Sequence, residues 1–145
     1  MSIQLFNDFL ASNDALRVYS GEELLFASDK DGLLPLLDYI VEFAPCRASI
    51  TVFDRVVGNA AALLLIKAGC KKVYSPLASE PATKVLDSYA VEYHFTELVP
   101  YIRTLSGEGM CPMEKLSLGR SPEAFYKAVS KMLRRRKIVL GKVEE

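Results

Sequence analysis

Apolar residues at Ile3, Leu5, Phe6, Phe9 and Leu10 recur at helical spacing, which predicts a first helix over about residues 2–12, ended by the turn-forming Ser12-Asn13-Asp14. Two short strands, "ALRVYS" and "ELLFAS", flank Gly21-Glu22 and read as an antiparallel hairpin. From Leu33 to Phe43 the apolar period is again helical, with Pro35 tolerable in the first turn and Pro45 as the stop. The strand "ASITVF" then leads into a helix that ends at Gly69. "KKVYS" is the next strand, "SEPATKVLDSY" the next helix and "VEYHF" a further strand. A glycine-bracketed loop, "SGEGMCPMEKLSLGR", precedes a last helix that starts at Ser121-Pro122-Glu123 with a cap, a first-turn proline and an acid near the positive helix end.

Strands separated by single helices need right-handed crossovers and give parallel pairs, while the leading hairpin adds antiparallel ones. The expected fold class is therefore α/β, with a mixed sheet and helices on both faces. Neither a repeat nor a linker divides the chain, so 1–145 is read as a single domain. Half of the 145 residues are hydrophobic, enough for a core without metal or disulfide staples.

Composition narrows the partners. Eighteen basic residues balance eighteen acidic ones, so no overall field concentrates nucleic acid or an anionic membrane. The run Arg134-Arg135-Arg136-Lys137 suits the negative end of a helix dipole, and an RNA-binding patch is its minority reading. Cys46, Cys70 and Cys111 are odd in number and form no CxxC, which fits a reducing, cytoplasmic location. The N-terminus lacks a basic n-region and the most apolar run, "AALLLIKAG", is too short to span a bilayer, so no membrane partner is expected.

Two segments, "DRVVGNAAALL" and "GMCPMEKL", together with the hairpin and the helix–strand order, resemble a prokaryotic domain-of-unknown-function family with a cytidine-deaminase-like fold. The resemblance runs from about the hairpin through the CPME segment and implies a three-layer architecture. Zinc deaminases carry His or Cys followed by Ala-Glu at the start of the helix after the third strand, and Pro-Cys-x-x-Cys at the start of the next. Here the first place offers Asp54-Arg55-Val56 or Val56-Val57-Gly58, and the second Pro76-Leu77-Ala78-Ser79-Glu80. Neither supplies a zinc ligand set, so zinc-dependent deamination is not expected, and the sequence names no other cofactor.

Asp54 and Arg55 end a strand where it meets a helix, the place where open α/β sheets bind ligands. The free N–H groups of that helix, with Gly58 leaving room and Asn59 beside it, could hold a phosphate or carboxylate. The competing explanation is that Asp54 caps the helix, Arg55 is solvated, and Gly58 with Ala60, Ala61 and Ala62 permits close packing. Ser75 and Ser79, at the entrance to the next helix, could touch the same ligand, and capping explains Ser79 equally well. Cys111 could act as a nucleophile with Glu114 as acid or base, or fill a core gap with Met110 and Met113. His94 is the one histidine, and it reads as structural or surface.

The site expectation is thus Asp54, Cys111 and Glu114 as reacting groups, with Arg55, Gly58, Asn59, Ser75 and Ser79 holding a small anionic or nucleotide-like ligand and no metal. A non-catalytic scaffold that associates with a second copy of itself is the rival from another class.

Overall fold

The computed structural model describes residues 2–43, 49–102 and 112–132. Helix α1, Ser2–Ala11, leads into the hairpin of β1, Leu16–Ser20, and β2, Glu23–Ser28. Its turn begins at Gly21 with a φ of 59°, which glycine adopts without a steric penalty. Helix α2, Leu34–Phe43, starts with a leucine and then Pro35, as the sequence pattern implies. Then come β3, Ile50–Asp54, the two-residue β4, Val56–Val57, and α3, Asn59–Lys67. Strand β5 is Cys70–Ser79, α4 is Glu80–Ser88 and β6 is Glu92–Val99. The short α5, Pro112–Ser117, and α6 over 122–132 complete the described chain.

The six described strands form one mixed sheet. β1 is antiparallel to both β2 and β3, while β3, β4 and β6 all run parallel to β5. Leu77 and Ala78 of β5 pair with Val56 and Val57 on one side and with Glu97 and Leu98 on the other. β4 therefore continues the edge that β3 occupies, and the spatial order is β2, β1, β3 with β4, β5, β6.

Besides the short β4, three elements depart from the sequence pattern. β5 spans ten residues, twice the length of "KKVYS", and runs through Pro76. A proline inside a central strand costs a ladder bond. Here β3 ends its pairing at Phe53 with Tyr74 and β4 resumes at Val56 with Leu77, so Pro76 falls where the ladder is already interrupted. The serine before it closes the gap locally: the Ser75 hydroxyl donates to the Leu77 carbonyl at 2.9 Å and accepts from the Leu77 N–H at 3.2 Å. β6 likewise extends past "VEYHF" to Val99. Finally, Pro112–Ser117 is a helix and not loop, because Pro112 suits a first helical position and Met, Glu, Lys and Leu follow it. Gly119, at a φ of 72°, lies just beyond its end.

One sheet face carries Leu16, Val18, Val52 and Val73 against α2, α3, α4 and α6. α3 is buried from Asn59 through Leu65, which explains the run of three alanines and three leucines. On the opposite face, Phe6 and Phe9 of α1 pack on Tyr19, Phe53 and Tyr74. His94 joins that aromatic row, 5.9 Å from Phe6 and 5.6 Å from Tyr74 between ring centroids. Among the described residues no helix is long and apolar enough to cross a membrane.

Candidate functional site

The start of α3 is where the sequence places an anion site, and a carboxylate sits there. It is the chain's own. Glu114 of α5 accepts the Asn59 N–H on Oε2 and the Ala60 N–H on Oε1, both at 2.8 Å. These are two of the orphan donors every helix start exposes, and the helix dipole favours a negative charge beside them. Ser79, by contrast, caps α4 with its own hydroxyl, which accepts from the Ala82 N–H at 3.3 Å.

Gly58 precedes the α3 start in an extended conformation, φ −92° and ψ −173°, and supplies no side-chain cap. A Cβ at this position would lie 2.5 Å from the Glu114 carboxylate carbon and from each of its oxygens. What comes close at Gly58 is thus the end of the Glu114 side chain, and the backbone there carries no strain. Asn59 closes the arrangement: its Nδ2 donates to the Ser117 Oγ at 2.9 Å, and that hydroxyl donates to the Glu114 carbonyl at 2.6 Å. Glu114, Asn59 and Ser117 are all buried. Burial pushes the Glu114 carboxyl above its ordinary range, and the N–H groups of Ala60 and Asn59 partly oppose that.

Asp54 is buried at the end of β3. Loss of solvent pushes its pKa up to about 7, against the pull of backbone hydrogen bonds from Val56 and Arg55. A carboxyl poised near neutrality can take or give a proton under physiological conditions.

Arg55 is half-buried, and its guanidinium is bonded to backbone carbonyls. Its Nε donates to the Asp14 carbonyl at 2.9 Å, and Nη2 donates to the carbonyls of Phe9 and Ser12 at 2.9 and 2.7 Å. The guanidinium carbon stands 4.5 Å from the Phe9 ring centroid. Five donors on a planar fork suit the several carbonyls that converge at and just beyond the end of α1, so the side chain anchors that helix end.

Glu114 reaches the α3 start at Gly58 and Asn59, while Asp54 accepts hydrogen bonds from the backbone N–H groups of Val56 and Arg55. Cys111 lies outside the described residues. Ser75 and Ser79 are fully buried, each occupied by nearby backbone.

The family described as a domain of unknown function (DUF1893) matches residues 6–133. The chain belongs to the DUF1893 family. It is similar to the crystal structure of a DUF1893 family protein from Thermotoga maritima, with a TM-score of 0.79 and 29% sequence identity over 90% of this chain and 86% of that one. No curated protein matches it.

In this DUF1893 chain the starts of α3 and α4 present Asn59 and Ser79, and among the described residues no three of His, Cys, Asp and Glu gather. Sequence reasoning missed Ser117, whose signal was its place three residues after Glu114, one helical turn on. It also missed that Glu114 bonds the N–H groups of the α3 start, since a contact between residues 55 positions apart leaves no local trace.

Proposed function

We propose that this DUF1893 domain is a zinc-independent binder of a small anionic ligand, a carboxylate or a phosphate such as that of a nucleotide, at the start of α3. The observation that carries it is the Glu114 carboxyl, held by two N–H groups at 2.8 Å and given room by Gly58, a tethered group where a free anion would bind. A phosphate with more charge and more oxygens competes well for such donors. Asp54, with its pKa near neutrality, is the candidate proton carrier, joined by Glu114 when a ligand displaces it and by Cys111 as candidate nucleophile. Asn59 lines the ligand site, with Ser75 and Ser79 at the neighbouring helix entrance. The strand order, with α3 and α4 starting after β4 and β5, supports a cytidine-deaminase-like architecture around this site. The buried free thiol of Cys70 supports a reducing cytoplasm as its location.

A second reading is favoured by the same contact. If Glu114 never leaves, the site is packing and the protein is a non-catalytic interaction module. One experiment separates the two. Thermal denaturation of wild type, Glu114→Ala and Glu114→Gln is measured with acetate, inorganic phosphate and a nucleoside monophosphate. Ligand binding predicts that small anions restore the melting temperature lost in Glu114→Ala, and that phosphate or the nucleotide also shifts the wild type. Rescue of the variant with no response of the wild type selects the interaction module. No rescue of either variant by any anion sinks the anion site itself. Metal analysis of the protein as purified is expected to return no stoichiometric zinc.

A further inference from the structure

We infer that the outward face of α2 is the centre of a homodimer interface, a surface independent of the α3 site. α2 buries Pro35, Leu36, Leu37, Tyr39 and Ile40 against the core. Its other side presents Leu34, 43% exposed, and Val41, 76% exposed. These two are seven positions apart, which sets them on one stripe of the helix, two turns from each other. A single exposed leucine or valine is ordinary on a protein surface. An apolar ridge whose two flanks carry opposite charge is not.

On one flank, a groove between α2 and α6 is floored by Leu37 and Tyr126 and edged by Lys127 and Lys131, with Asp38, whose charge Lys30 balances, at its α2 rim. The two lysines are four apart on α6 and both exposed, so they share one face. On the other flank, a hollow between α2 and the end of β2 is edged by four carboxylates, Asp14, Asp29, Asp38 and Glu42, and by one cation, Lys30. Asp14 is paired with Arg17 at 2.7 Å and Asp38 with Lys30 at 2.7 Å. Asp29 and Glu42 remain as exposed carboxylates with no ion pair among the described residues.

The partner that fits this arrangement is a second copy. A two-fold axis running along the ridge sets Val41 against Val41 and reverses left and right. Each copy's lysine groove then faces the other's acidic hollow. An interface of this kind uses the same patch twice, so it must be self-complementary, and opposite charges flanking an apolar centre meet that requirement. A partner of one net charge would match only one flank.

The test is the solution mass of the full chain by light scattering and sedimentation across a concentration series, with folding of each variant confirmed by circular dichroism. Wild type is expected to dimerise, and Val41→Glu, which buries a carboxylate at the axis, to weaken the dimer at least about tenfold. Lys127→Glu with Lys131→Glu makes both flanks acidic, and Asp29→Lys with Glu42→Lys makes both basic. Each double variant is expected to be monomeric alone and the two to form a heterodimer when mixed at equal concentration. A wild type that stays monomeric throughout the series, a dimer indifferent to Val41→Glu, or charge variants that fail to pair when mixed would each overturn the assignment.

Discussion

A methyl group added at Gly58 would meet the Glu114 carboxylate at 2.5 Å, well inside contact distance, so Gly58→Ala must push that carboxylate off its two N–H donors. The expected loss is about 2–4 kcal/mol, the sum of overpacking and two buried amides left short of a partner. Glu114→Ala should cost about 2–3 kcal/mol for the second reason alone. Because both variants break one contact, the double variant is expected to fall short of the summed losses by more than about 1 kcal/mol in urea unfolding. Strict additivity would show that the two residues do not act on each other. Asn59 and Ser117 belong to the same unit: the amide of one holds the hydroxyl that in turn holds the Glu114 carbonyl.

At the scale of elements, α1 is attached to the sheet by Phe6 and Phe9 and by one distant side chain, Arg55, at the end of β3. Arg55→Met keeps much of the stem but removes the donors to the carbonyls of Phe9, Ser12 and Asp14. The expected outcome is a loss of about 2–3 kcal/mol. Hydrogen exchange should localise it, with protection lost first in residues 2–11 and little changed in α3. Equal loss across the sheet would mean that Arg55 supports the core and not the helix end. α5 is a helix of six residues, too short to stand alone. What orders it is the docking of Glu114 and Ser117 on α3, so Ser117→Ala should reduce protection in α5 before it affects the sheet.

For the molecule as a whole, Asp54 links folding to pH. Its carboxyl titrates near 7 in the folded chain, above the ordinary unfolded value, so the folded state binds that proton more tightly. The stability this contributes is fully present below about pH 4 and is lost as pH rises through about 7. Relative to Asp54→Asn, wild type should therefore lose on the order of 3–4 kcal/mol between pH 4 and pH 8. Parallel pH profiles for the two proteins would show that Asp54 is not the group responsible. Thiol chemistry gives a second global check. Burial pushes Cys70 up to about 12, so the thiolate is scarce and sheltered. Native protein should show no fast reaction at Cys70 with a thiol reagent, which leaves Cys46 and Cys111 to account for any fast signal.

Local periodicity carried the hairpin, α1, α2, α3 and the alternation that makes the sheet mixed, because turn glycines and apolar spacing act over a few residues. It also carried the place where α3 starts, since a glycine before a helix after a strand is a local feature. What it could not carry was the length of β5 through Pro76, which is tolerated only because β3 and β4 break opposite it. Nor could it tell that Arg55 caps a helix 40-odd positions earlier, or that Glu114 enters the α3 start from 54 and 55 positions away. Backbone donors and acceptors at helix ends carry no sequence identity of their own. Which side chain reaches them is therefore settled only when the chain is folded and burial leaves those groups nothing else to bond.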